Sequence, residues 1–361
     1  MKIAIVLPRG MHFGPEGATS IDLVTRDLLS HSRFRDSTTV LGEAVAIPFP
    51  GVAFQAVDGT SQKDLTRGYA RALRHLQPDV IVVHQHPETA AALARQLAGT
   101  PVILHRHGLL KEKRSGLSRW LKSRLFRRLS LIVFVSDFIE DRFLTQFPGL
   151  AGRTTVIVNG VDMQVWAPSE KDRTIAYVGR AREDKGLLPL INAFTDLSKH
   201  PAASGWGLEL VLGVQTEAEE AFADRLEALA ARKSGIRIRR NLPSTEVRDT
   251  LARASIAALP SIVREGFPRA VVEAMACGCA TIATAQGGTL EAAGDAALLL
   301  DNPSAPDFKD RLRHALLGLI ENDPHRQELG QHARTHAEAT LGIAAVAARY
   351  DALLASAARV G

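Results

Sequence analysis

"REGFPRAVVEAMACGCATIAT", residues 264–284, holds a turn, a short helical run and a strand in immediate succession. Glu265 lies in a Gly-Phe-Pro turn, and Glu273 lies inside the Ala-rich run that follows, with seven residues between them. Pro268 suits the first helical position, where its missing N–H costs nothing. Gly278 suits the left-handed residue that ends a helix. Val272, Met275 and Ala276 have the spacing of a core face. Glu273 sits beside that apolar stripe, where an unpaired carboxylate is costly, so it calls for a partner. Two vicinal hydroxyls, as on a ribose, suit its two acceptor oxygens. Glu265 precedes a helix start whose free N–H groups attract an anion such as phosphate.

The flanking runs "SIAALP" (255–260) and "ATIAT" (280–284) read as buried strands. The same grammar extends in both directions. "KIAIVL" (2–7), "DVIVVH" (79–84), "PVILH" (101–105), "LIVFVS" (131–136) and "TTVIVNG" (154–160) alternate with amphipathic runs. So do "TIAYVG" (174–179), "LELVLG" (208–213) and "IRIR" (236–239). Continuous apolar strands alternating with helices predict parallel sheets covered on both faces. The 361 residues exceed one ordinary core and suit two domains. The segment 160–173, polar toward its end and interrupted by Pro168, marks the boundary. The expected architecture is α/β: two doubly wound domains, 1–167 and 168–340, facing across a cleft. A final segment, 341–361, carries a helical run long enough to cross back and brace the first domain. Ligands of such sheets bind beyond the C-terminal strand ends.

Composition narrows the class. No apolar run reaches the ~20 residues of a membrane span. The N-terminus has one Lys and a short apolar run, unlike a signal peptide, which implies synthesis for the cytoplasm. Cys277 and Cys279 are the only cysteines and read as packing residues at a helix end. The net charge of +5 is modest and calls for a local source.

Two local sources stand out. After the strand ending at Gly179 come Arg180, Arg182 and Lys185, then Gly186 and a helix. This is either a solvated basic loop or a site for an anion such as a diphosphate. The second is "KEKRSGLSRWLKSRLFRRLS" (111–130), where Trp120, Leu121, Leu125 and Phe126 can share a helical face. It is an ordinary domain helix with a core-facing stripe, or a docking face in 111–128 for an anionic inner-membrane surface or a phosphorylated acceptor. No nucleic-acid motif accompanies it. His84 and His86 end one strand and His105 and His107 another. Four imidazoles raise the thought of a metal, but separate polar contacts are the simpler reading.

With these residues in view, the chain resembles the retaining GT-B glycosyltransferases of family four. "EGFPRAVVEAMACGCATIAT" is similar to that family's double-Glu segment. "VGRAREDKG" (178–186), "VIVNGVD" (156–162), "FVSDF" (134–138) and "AQGGTLEAAGDAALLLDN" (285–302) resemble further family segments in the same order. The N-terminal half matches mainly in layout.

The resemblance implies two Rossmann-like domains and transfer of a sugar, with retention, from a UDP- or GDP-sugar to a glycan or lipid-linked acceptor in bacterial envelope biosynthesis. Arg180 and Lys185 would hold the diphosphate. Glu265, with Gly266 and Phe267, would hold the donor sugar, and Glu273 the ribose. His107 would contact the sugar. Gly17 and Gly179 would allow close approach, and Arg240 and Leu242 would lie near the base. His86 and Arg124 fall on the acceptor side. No cofactor or divalent metal is implied, and the chain has no Asp-x-Asp. Pro268 departs from the family pattern by removing one backbone donor. A nucleotide-sugar epimerase or hydrolase on the same fold, or a non-catalytic binding protein, are the alternatives.

Overall fold

The computed structural model describes residues 1–111 and 115–360. Residues 112–114 of the basic segment lie outside this description. The chain divides into two compact units, Met1–Gly160 with Ile343–Gly361, and Val161–Gly342.

The first unit begins with β1 (Ile3–Val6), α1 (Ser20–Ser30), β2 (Thr38–Gly42), β3 (Ala53–Ala56), α2 (Gln62–Leu76) and β4 (Val80–His84). It continues with α3 (Pro87–Gln96), β5 (Val102–Arg106), α4 (Gly116–Phe126), β6 (Leu131–Phe134), α5 (Asp137–Gln146) and β7 (Thr154–Val156). Its seven strands run in the order β3-β2-β1-β4-β5-β6-β7. All neighbours pair parallel. Apolar side chains from both faces of the central strands are buried, which is why these segments lack a polar alternation.

The second unit holds β8 (Asp172–Arg180), α6 (Leu187–Leu197), β9 (Gly207–Gly213), α7 (Glu217–Ala230), β10 (Ile236–Arg240), α8 (Ser244–Arg253) and β11 (Ala254–Leu259). Then come α9 (Arg269–Ala276), β12 (Ala280–Thr284), α10 (Thr289–Ala293), β13 (Leu298–Leu300), α11 (Phe308–Glu321) and α12 (Asp323–Thr340). Its six parallel strands run β10-β9-β8-β11-β12-β13.

Each sheet therefore reverses its winding once, between β1 and β4 in one and between β8 and β11 in the other. At a reversal the two loops leave their strands toward opposite faces, and a crevice opens at the C-terminal strand ends.

The last helix, α13 (Ile343–Val360), belongs to the first unit and packs on α1 and β4. Ile343, Val346, Tyr350 and Leu354 enter one core with Ile5, Val82, Ile103 and Val133. Asp351 fixes the helix further. It accepts from Ser32 Oγ at 2.5 Å and from the Arg33 N–H at 2.8 Å.

Pro268 caps α9 from outside rather than occupying its first turn, with φ −76° and ψ 110°. Its carbonyl accepts from Val271 and Val272. Gly278 follows the helix at φ 68°, the left-handed stop expected there. Cys277 and Cys279 are fully buried, and burial pushes both thiols up, that of Cys279 to about 11. Among the described residues no helix is long and apolar enough to cross a membrane.

Because Leu354 is 2% exposed, Leu354→Ala is expected to cost about 2–5 kcal/mol, read as a lower urea midpoint for the first unit. An unchanged midpoint contradicts the placement of α13 in that core.

Candidate active site

In the second unit, β8 and β11 are neighbours, so the loops that follow them lie side by side. The Ile262 and Val263 N–H groups both donate to the Asp184 carbonyl, at 2.8 and 3.1 Å. This joins the basic loop 180–186 to the loop that carries Glu265.

Lys185 Nζ contacts Glu265 Oε1, and both side chains are about one-fifth exposed, 18% and 22%. Ser261 Oγ donates to the same carboxylate oxygen at 2.8 Å. The loop is also held from β12. Thr284 Oγ1 donates to the Ser261 carbonyl at 2.6 Å, and Gln286 Nε2 to the Ser261 and Ile262 carbonyls at 3.0 and 2.6 Å. Gly287 and Gly288 then pass directly against it. A Cβ at Gly287 would stand 2.5 Å from the Glu265 carbonyl oxygen, and one at Gly288 would stand 1.8 Å from that of Gly266. Only glycine fits at either position.

Glu273 is buried, as an expected ligand to a sugar ring need not be, and it has a partner within its own helix. Arg269 donates to Glu273 Oε1 from Nη2 at 2.8 Å and from Nε at 3.2 Å. The two residues are four apart, a spacing that brings side chains together on a helix. Phe267 is buried and Gly266 is half-buried beside it.

Arg180 ends β8. Its Nη2 donates to Glu219 Oε2 at 2.6 Å. Burial raises the Glu219 carboxyl, but hydrogen bonds from Arg180 and the Gln215 N–H prevail and hold it below the usual range. Gly179 is half-buried in the same strand. Arg240 ends the edge strand β10, and its guanidinium is shared by Glu220, Asp224 and Glu227 of α7, at 2.7, 2.7 and 2.6 Å. Leu242 is half-buried in the next loop.

In the first unit the loop after β1 is clamped to the start of α1. Asp22 Oδ2 accepts from the Thr19 N–H at 2.8 Å and from the His12 N–H at 3.1 Å. Burial pushes the Asp22 carboxyl up, against these bonds. Gly17 lies in this loop at φ 71°.

The ends of β4 and β5 carry the histidines. The register sets His84 opposite His105. His84 Nδ1 and His107 Nε2 are 2.9 Å apart, within hydrogen-bond distance. Gln85, at φ 61°, accepts from the His107 N–H through Oε1 at 3.0 Å. Three of the four imidazoles thus form one cluster rather than separate contacts, because two adjacent parallel strands end in register. His86 stands apart as the cap of α3, where its Nδ1 accepts from the Thr89 N–H at 3.2 Å. Burial lowers its pKa.

His86 also lines a cavity of 360 Å³ with Arg106, Lys111, Lys122 and Phe147. Lys122 contacts Glu88, and Arg106 is buried with its Nη2 on the Gly108 carbonyl at 2.7 Å. Arg124 lies over the Trp120 ring, 4.9 Å from its centroid.

Comparison with known proteins places these motifs in a family. Residues 160–336 match the family described as glycosyl transferases group 1, and residues 38–165 match glycosyltransferase family 4. The alpha-maltose-1-phosphate synthase of Mycolicibacterium smegmatis is 28% identical over 290 residues, covering 70% of this chain and 73% of that one. The D-inositol 3-phosphate glycosyltransferase of Paenarthrobacter aurescens is 24% identical over 346 residues, covering 84% and 83%. Among solved structures, Anabaena HepE in complex with UDP and glucose superposes with a TM-score of 0.78 at 19% identity, covering 99% of this chain and 100% of that one. The fold is therefore GT-B. Matched in both halves, the chain belongs to glycosyltransferase family 4, the group 1 glycosyl transferases, and is a retaining enzyme that uses a nucleotide-sugar donor.

Proposed function

We propose that this glycosyltransferase moves a hexose from a UDP-sugar to an acceptor that carries an anionic group. The observation that carries the reading is the meeting of Lys185 and Glu265 at the ends of adjacent central strands. A cation and a carboxylate held together there suit a ligand with both phosphates and hydroxyls. The diphosphate takes Lys185 and Arg180, and Glu265 then accepts from sugar hydroxyls. Glu273, aligned by Arg269, faces the ribose in this reading. Arg240 and Leu242 lie toward the base, and Gly17 and Gly179 allow close approach. His107 contacts the sugar.

The C1–O bond to the diphosphate breaks while the acceptor oxygen bonds to C1 from the same side, and its proton passes to the leaving phosphate. The cations stabilise the charge that develops, so no divalent ion is required at the phosphates. Binding of UDP by HepE supports uracil as the base.

The cavity lined by His86, Arg106, Lys111 and Lys122 is the acceptor candidate, and its cations favour a phosphate. The relatives' names, a maltose-1-phosphate synthase and an inositol 3-phosphate glycosyltransferase, are in keeping with this. A lipid-linked acceptor in the bacterial envelope is the second reading. It is favoured by α4, where Leu117, Trp120 and Leu121 are 69%, 53% and 55% exposed beside Arg119, Arg124, Arg127 and Arg128. An apolar strip flanked by cations suits an anionic membrane surface of the cytoplasmic leaflet.

Three outcomes are expected. UDP raises the melting temperature more than GDP or ADP does, since a ligand that binds only the folded state stabilises it. Lys185→Ala abolishes that rise and lowers kcat/KM by about 10²–10³-fold, the scale for one charge-stabilising group. Full activity in Lys185→Ala and in Glu265→Ala rejects the assignment, and donor turnover without acceptor points to a hydrolase. Finally, vesicles with anionic lipid co-sediment the enzyme, and Arg124→Glu with Arg127→Glu and Arg128→Glu releases it. Binding that survives these changes removes the membrane reading.

A further inference from the structure

The transfer reaction proposed above uses one face of His107 and leaves the rest of the histidine cluster without a task. His84 and His105 are each 1% exposed, and His107 is half-buried. The ring centroids form a near-equilateral triangle with sides of 4.9, 5.0 and 4.4 Å. Tyr350 of α13 closes the buried side, 5.6 Å from the His105 ring. One nitrogen from each histidine lies within 4.8 Å of the other two.

A neutral imidazole brings one donor and one acceptor, so three rings bring three of each. The cluster satisfies one pair internally, between His84 and His107. His84 Nε2, both ring nitrogens of His105 and the Tyr350 hydroxyl are buried with no hydrogen-bond partner. Buried polar atoms are nearly always paired, and an unpaired group calls for an explanation, of which a bound ion is one.

We propose that His84, His105 and His107 hold a divalent transition-metal ion of the zinc class. Burial keeps all three rings below their ordinary pKa, so their lone pairs are available at neutral pH. Nitrogens about 2.0–2.1 Å from a tetrahedral ion lie about 3.3 Å from one another. The present separations, from 2.9 Å up to 4.8 Å, straddle that value, and rotation of the rings closes the set. The ligand type is selective: imidazole suits zinc, copper, nickel or iron, whereas magnesium and calcium require oxygen ligands. Three protein ligands leave a fourth position open, and half-buried His107, the least buried of the three, marks the way in. The site differs from a diphosphate-bridging metal, since it contains no carboxylate. On binding, the ring that donates in the His84–His107 hydrogen bond moves its proton to its other ring nitrogen, and two nitrogen–metal bonds replace that hydrogen bond with all three imidazoles still neutral.

The test is equilibrium dialysis of the chelator-stripped full chain against Zn²⁺, with Co²⁺ absorption as a second probe. One ion per chain is expected, with visible bands of a four- or five-coordinate cobalt site and no thiolate charge-transfer band from the cysteines. His107→Ala and His105→Asn, each checked for fold by circular dichroism, should weaken Zn²⁺ binding more than the roughly 10–100-fold lost with an outer-shell partner. A hundredfold excess of Mg²⁺ should not compete. If the buried nitrogens are served by water instead, wild type binds no more ion than the variants and the proposal fails. Failure of the transfer assignment for His107 leaves this measurement intact, since it reads the ion and not the reaction.

Discussion

Ile262 and Val263 both donate to the carbonyl of Asp184, and the chemistry of the second unit depends on that junction. It locks a loop of cations to a loop of carboxylate at the point where the sheet reverses. Side chains alone would hold such a pair loosely, because lysine and glutamate each lose much rotamer freedom when ordered. Backbone bonds fix the loops first, so Lys185 and Glu265 meet with little further ordering. Each then screens the other, and in the function proposed above a ligand with phosphate at one end and hydroxyls at the other exchanges for both.

The first unit solves a similar problem with different means. Its reversal lies between β1 and β4, where Asp22 clamps the loop after β1 through two N–H groups. Next to it, the strained backbone of Gln85 holds the His107 N–H through its side chain and the buried Arg106 through its carbonyl. A positive φ at a non-glycine residue persists only where its surroundings over-determine it. Here those surroundings are the aligned ends of β4 and β5.

Much of this was legible in the sequence, and the reason is burial. Strands such as β4, β5, β8 and β11 are covered on both faces, so each reads as an unbroken apolar run. The strand β3 is an edge and largely exposed, and "AFQA" carries no such signal, so it escaped the reading along with β2 and α2. Glu265, Lys185 and Glu273 stood out because each follows a strand in a recognisable motif. Their partners did not. Ser261 and Glu219 are ordinary residues until the loops are folded. Arg269 is legible only from its four-residue spacing to Glu273, a signal that many helical pairs share. The histidines were visible as two pairs, yet the register that unites three of them is a property of the sheet. Arg240, expected near a base, is gathered by three carboxylates of α7 that lie 13–20 residues upstream.

The contact of Gly287 and Gly288 with the Glu265 loop has an evolutionary corollary. At this contact the loop is positioned through its main chain, so the side chains of residues 262–264 do not set its place there. Residues 262–264 can therefore diverge without displacing the carboxylate beside them. Such an arrangement separates the backbone that holds Glu265 in place from the side chains around it. The side chains of residues 262–264 can thus change while the two glycines, which leave no room for a Cβ, cannot.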